Sequence, residues 1–379
     1  MRPSSQIGPG PDARVAGVSA SAPVRDQAGG VPSAGAETRP IPGRRPRPRR
    51  GPEPRPRNRP SDGTRPVPPG GTRAVRPRPG EGGNVPDLEP ESDDRLRMVA
   101  VHAHPDDESS KGAGSMAKYV REGAQVTVIT CTGGERGDIL NPKLADDEEI
   151  LADLPAVRRT EMAAAQRVLG VDHEWLGFID SGLPEGDPRP ELPEGCFARV
   201  SVEDGARPLV AAIRRLRPHV LTTYDENGGY PHPDHIQCHR VSVLAFERAA
   251  DPEYAPELGE PWEVSKMYYI NGFSRSRFQG IADFLRGRGT PDEQLEEMAQ
   301  RFPSGADRLV TTRVDISDQL DIRDAALRAH ATQVDPEGFF FHIPNDVLRE
   351  SHWATDDYEL RTSRIGVTLP ETDLFAGLR

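Results

Sequence analysis

Short apolar runs rich in β-branched residues alternate with segments of helical spacing from residue 97 onward, and few folds accommodate that alternation. RMVAVHA (97–103), AQVTVITCT (124–132), HEWLGFI (173–179), HVLTTYD (219–225) and EVSKMYYI (263–270) predict strands. Between them, KGAGSMAKYVREG (111–123) predicts a helix stopped by glycine. PAVRRTEMAAAQRVLG (155–170) opens on proline and closes on glycine, both marks of a helix. EDGARPLVAAIRRLRP (203–218), despite its early proline, and HPDHIQCHRVSVLAFERAA (232–250) predict two more. Strands joined by helices imply an α/β fold, a Rossmann-like, mainly parallel sheet with helices on both faces. Right-handed crossovers then bring the strand-to-helix loops to the carboxyl edge of the sheet, where such folds bind ligands. Past Asn271 the pattern loosens to one further strand, RLVTTRVDIS (308–317), and one helix, DQLDIRDAALRAHATQV (318–334). These read as C-terminal additions to a single domain spanning residues 95–379.

The preceding residues do not fit that core. Residues 1–86 hold sixteen arginines, no lysine and six acidic residues, a net of about +10, in a chain whose total is −12. About half of all the prolines fall there too, with hardly any large apolar side chain. Such a composition buries too little to offset its ordering entropy, so residues 1–94 are expected to form a disordered, partly polyproline-like extension. The strongly acidic remainder argues against nucleic acid as a partner. The pairs Arg44-Arg45 and Arg49-Arg50 precede no apolar segment, so they are not read as twin-arginine export signals, and no stretch suits a membrane span. Cys131, Cys196 and Cys238 are too scattered for a disulfide framework or a zinc finger, which points to buried fillers of a cytoplasmic protein. Nothing in the sequence bears on oligomeric state.

Two clusters carry the chemistry. AHPDDESSKG follows the first strand and YDENGGYPHPDHIQCH the fourth, so the fold can join loops about 120 residues apart. Imidazole and carboxylate together suit a borderline divalent ion such as zinc, and ferrous iron also. A catalytic zinc takes three protein ligands and keeps one position open. His104 and Asp107, three apart, can share a helix face, and His235 can complete the set. That leaves Asp106 as a general base toward water and His232 as an acid or electrophile. Alone, each string could be a helix cap with acids complementing the dipole. Their joint position at two ligand-bearing edges favours the metal. His239, four after His235, is a competing ligand, and His102 is expected to pack or bond to backbone.

AHPDDE and HPDH, in this order on this pattern, resemble the LmbE-like (PIG-L) family of metal-dependent N-deacetylases. Further matches are VHAHPDDESSKGA, TGGERGDILNP, WLGFIDSGLP, TTYDENGGYPHPDH, GEPWEVSKMYY, RDAALRAHATQVDP and ETDLFAG. Those strings resemble most the branch of the family that acts on mycothiol S-conjugates. The resemblance covers the folded part and none of the arginine-rich extension. It implies one Zn2+ per chain on His104, Asp107 and His235, with Asp106 as base, His232 as acid and Asp234 as its orienting partner. Tyr230, after Gly228-Gly229, matches a mobile tyrosine that polarises the carbonyl, although Pro231 stiffens its loop. Arg158 and Asp180 match positions that hold sugar and inositol hydroxyls, Glu135 would line the pocket, and Lys111 would meet the acyl-cysteine part of the substrate. The plainer readings are a loop aromatic for Tyr230, an exposed helix arginine for Arg158 and a turn aspartate for Asp180. The implied reaction is hydrolysis of the conjugate amide, giving an N-acetylcysteine S-conjugate and glucosaminyl-inositol. Rival readings are deacetylation of N-acetylglucosaminyl-inositol and a non-catalytic sugar-binding module.

Overall fold

The structure, a computed structural model, describes residues 95–186, 188–272, 275–300 and 308–379. The expected extension over residues 1–94 lies outside the described residues. Among the described residues seven strands form one sheet: β1 (Arg97–His102), β2 (Gln125–Thr132), β3 (Asp172–Phe178), β4 (Val220–Thr223), β5 (Lys266–Ile270), β6 (Thr312–Asp315) and β7 (Thr355–Ser363). The helices are α1 (Asp107–Ser110), α2 (Ala113–Arg121), α3 (Glu148–Ala152), α4 (Leu154–Leu169), α5 (Val202–Leu216) and α6 (Pro233–Ala250). Beyond β5 come α7 (Arg275–Gly287), α8 (Asp292–Gln300), α9 (Leu320–Ala329) and α10 (Asn345–Glu350). The strand order is β3-β2-β1-β4-β5-β7-β6, parallel from β3 to β5. Strand β7 is antiparallel to both β5 and β6. The mainly parallel α/β sheet read from the sequence is the observed fold.

Local chemistry explains the elements. Asp153 caps α4 by accepting from the Ala156 N–H at 3.1 Å, and Gly170 ends that helix at φ 74°. Strand β1 is buried on both sides. Met98 and Ala100 face a core built with α2, α4 and α9, whereas Val99 and Val101 face one built with α5 and α6. Such a strand reads as a continuous apolar run, and each fully buried side chain of this size contributes about 1.5–3 kcal/mol. Helices on both faces hold the central strand still, and its carboxyl end carries the first cluster.

The C-terminal part departs from expectation. The strand expected over 308–317 contracts to the four residues of β6, and the helix over 318–334 to α9. The short or late elements β7, α3, α7, α8 and α10 were not anticipated. The segment after β7 is tied to β5 by Glu371, whose Oε1 accepts from the buried Lys266 Nζ and whose Oε2 accepts from the Tyr268 hydroxyl, both at 2.6 Å. Among the described residues no helix is long and apolar enough to cross a membrane.

Candidate metal centre and catalytic cleft

The loops after β1 and β4 meet, as the topology requires. His104 Nδ1, Asp107 Oδ2 and His235 Nε2 lie 3.5, 3.4 and 3.3 Å apart pairwise. A tetrahedral ion with bonds of roughly 2.0–2.2 Å sets its ligand atoms roughly 3.3–3.6 Å apart. The donor set therefore fits a divalent metal without rearrangement. The outer nitrogens are also accounted for. His235 Nδ1 lies 2.9 Å from the Gly228 carbonyl, and His104 Nε2 lies 3.3 Å from Asp234 Oδ2 and 3.6 Å from Asp180 Oδ1. Anchoring the far nitrogen fixes the tautomer that offers a lone pair to a metal. Burial lowers the His104 pKa, but Asp107, Asp180 and Asp234 outweigh it and hold the imidazole well above its ordinary value. The pocket is thus built to hold positive charge.

Two further triples also come within 4.8 Å: His104, His232 and His235, and His104, Asp180 and Asp234. The second spends the His104 nitrogen that its carboxylates already hold. The first uses His232, whose Nδ1 accepts from the Asp234 N–H at 3.1 Å as the cap of α6. The three separations of the set with Asp107 are those of a tetrahedral ion's ligands. His239 stands apart, with Nδ1 3.1 Å from the Tyr224 carbonyl and its ring against Tyr269. His102 packs edge-on against Tyr224, its ring nitrogens without hydrogen-bond partners among the described residues. Burial drops its pKa to about 4, so it stays neutral.

Around this centre opens a cleft of about 640 Å³, lined by His104, Asp106, Asp107, Arg158, Tyr230 and His232, with Lys111 and Asp180 also in its wall. Asp106 sits at φ 113°, a left-handed conformation rare for a side-chain residue. Its N–H donates to Glu108 Oε2 at 2.9 Å, and Glu108 Oε1 is 2.7 Å from the His330 Nε2, a fully buried pair. Burial first, then the charge on Asp107, pushes the Asp106 carboxyl up to about 7. Burial and the Asp107 charge push Tyr230 up to about 12, so its hydroxyl stays a donor. Tyr230 is 41% exposed and stacks edge-on against His235 at 4.6 Å. Gly228, at φ 74°, is required beneath it: a Cβ there would stand 2.6 Å from that of His235.

Several placements differ from the sequence reading. The Asp234 carboxylate faces His104, not His232; it also accepts from the Ser181 N–H at 2.8 Å and from the Ser181 hydroxyl. Glu135 does not line the cleft but accepts from the Asp180 N–H at 3.0 Å. The ammonium of Lys111, in the wall of the cleft, is engaged by Asp107 Oδ1 at 2.7 Å and Ser110 Oγ at 3.0 Å. Arg158 is buried, not exposed, and donates to the Gly137 and Asp138 carbonyls at 2.9 and 3.0 Å. Asp180 accepts from the Arg136 and Gly182 N–H groups. Tyr224 escaped notice: its hydroxyl donates to Asp107 Oδ2 at 2.6 Å, fixing the carboxylate. No local signal marks it, because it reads as one more strand residue.

Comparison with known proteins gives the family. Residues 99–246 match the PIG-L family model, described as GlcNAc-PI de-N-acetylase. The chain is 54% identical over 290 residues to the mycothiol S-conjugate amidase of Streptomyces coelicolor, covering 76% of this chain and 98% of that protein. It is 41% identical over 300 residues to a 1D-myo-inositol 2-acetamido-2-deoxy-alpha-D-glucopyranoside deacetylase of Streptomyces avermitilis, covering 74% and 97%. A deacetylase of the same description from Geodermatophilus obscurus is 42% identical over 294 residues, covering 74% and 98%. Fold, cleft and relatives define an amide-hydrolysing enzyme. The chain belongs to the PIG-L family.

Proposed function

We propose that this enzyme hydrolyses the amide of mycothiol S-conjugates, using one zinc ion held by His104, Asp107 and His235. The 54% identity along nearly all of the Streptomyces coelicolor amidase carries the choice of substrate, against 41% to the deacetylase of Streptomyces avermitilis. A bound divalent ion would supply Lewis acidity, making water more acidic and the carbonyl more electrophilic. Asp106, poised near neutrality, takes the proton of the attacking water. Tyr230 donates to the carbonyl oxygen as charge develops there. Burial, then the neighbouring imidazoles, lower His232 to about 4, so it is neutral; its Nδ1 accepts from backbone and its Nε2–H hydrogen-bonds the departing nitrogen, which receives the proton that Asp106 took from water. The C–N bond breaks as a C–O bond forms, and the products are an N-acetylcysteine S-conjugate and glucosaminyl-inositol. Asp234 keeps His104 oriented, while Arg158 and Asp180 offer a donor and an acceptor to hydroxyls of the amine half.

The test is to incubate the metal-loaded enzyme with a mycothiol conjugate and, separately, with N-acetylglucosaminyl-inositol, and to identify the products by mass. Cleavage of the cysteinyl amide at the higher kcat/KM supports the proposal. Release of acetate alone rejects it in favour of the deacetylase reading.

A further inference from the structure

A second cavity, of about 90 Å³, lies behind the cleft. On this measure one water needs roughly 10–15 Å³, so the space exceeds that of a single water several-fold. Ser110, Lys111 and Phe340 line both cavities and form the partition between them. The rear walls are apolar: Ile270, Phe278, Ile281, Leu327, Ile343 and Leu348. The charged groups of that wall are engaged by neighbouring elements. Arg277 donates to the Thr355 and Trp353 carbonyls, Arg323 to Asp324 and Asn345, and Asp356 accepts from Ser115. Two polar atoms there have no hydrogen-bond partner among the described residues: Asn271 Nδ2, a donor, and Asp357 Oδ2, an acceptor.

Sheet order says which half of a substrate reaches this annex. Asp180 follows β3 and Arg158 lies on α4, between β2 and β3, so both stand on one side of β1. Asn271 follows β5, on the other side. With the scissile carbonyl at the centre and the amine half toward Arg158 and Asp180, the acyl half points at the partition. An acetyl group ends at its methyl and cannot reach beyond it. A cysteinyl acyl group carries two longer arms, a thioether and an acetamido group.

We propose that the annex behind Lys111 and Phe340 receives the S-substituted arm of the conjugate, its apolar substituent against Phe278, Leu327 and Ile343. The acetamido amide supplies one acceptor and one donor, the complement of Asn271 Nδ2 and Asp357 Oδ2. This rests on the reading of the enzyme as an amidase of S-conjugates.

The experiment compares kcat/KM for S-methyl and S-benzyl conjugates in the wild type, in Ile343→Trp, which fills the annex, and in Phe278→Ala, which enlarges it. The benzyl-to-methyl ratio falls about tenfold or more in Ile343→Trp and rises in Phe278→Ala, in keeping with what a hydrophobic pocket discriminates. Both size variants are first shown to keep the wild-type Tm, so that an unmoved ratio is not the mark of a folding lesion. Asn271→Leu raises KM about tenfold for an acetamido conjugate relative to one whose cysteine nitrogen is unacylated. Equal loss on both conjugates in both size variants overturns the annex and leaves the amidase reading standing. Failure of the wild type to cleave either conjugate, with acetate released from N-acetylglucosaminyl-inositol, removes both.

Discussion

Asp106 stands in a backbone conformation that costs about 1–3 kcal/mol for a residue with a side chain, and the cost is met by hydrogen bonds on both flanks. Its carboxyl, raised to about 7, must be ionised to accept a proton, so kcat/KM rises with pH through a midpoint near 7. Asp106→Asn lowers kcat by roughly 10²–10⁴ and abolishes that acidic limb while metal content, read by atomic emission, is retained. Tyr224→Phe removes the hydroxyl that holds Asp107 and weakens metal affinity roughly 10–100-fold in competition with a chelator. At this scale the ligand candidates were legible, because HPDD and HPDH concentrate rare chemistry in few positions. The ion pair of Lys111 with Asp107 was not read, although its spacing of four on a helical turn carried the signal. The Asp234–His104 contact was not legible, since nothing local says which of three imidazoles a carboxylate will face.

The helix α1 is only four residues long, and α9 supplies what it lacks. His330, at the end of α9, closes on Glu108 of α1 and so steadies the backbone of Asp106. Burial works against the charged form of Glu108, but His330 outweighs it and holds the carboxyl at about 2; Glu108 in turn raises His330 above its ordinary value. The glutamate's contribution is full above its unfolded pKa and is lost as pH falls toward about 2. That of the histidine is full below its unfolded pKa and is lost as pH rises through its raised value. The pair therefore stabilises most between roughly pH 4.5 and 6.5. Glu108→Gln costs about 3–5 kcal/mol in that window, and the gap in Tm to the wild type narrows toward pH 8. Strands β1 to β5 and helices α2, α4, α5 and α6 were legible because each carries its own periodicity. Strand β7 was not: TDDYELRTS has charges where a strand shows apolar residues, and distant β5 and β6 make it a strand.

For the molecule as a whole, we propose that residues 95–379 are the folding unit. A chain truncated to those residues should keep the Tm and kcat/KM of the full chain to within about 1 °C and twofold, since the composition of the preceding residues offers hardly any large apolar side chain to a core. Removing a net charge of about +5 (sixteen arginines against eleven acidic residues) leaves a more acidic protein, so the truncated form should elute later from an anion exchanger. The join between Lys266 and Glu371 has a consequence for biosynthesis. The lysine leaves the ribosome about a hundred residues ahead of the only carboxylate that neutralises it among the described residues. Until translation passes Glu371, the nascent sheet has an unmatched ammonium at its heart and no reason to shut. A late nonsense codon would thus yield a product that proteases can recognise as unfinished, even though every catalytic group had already been made.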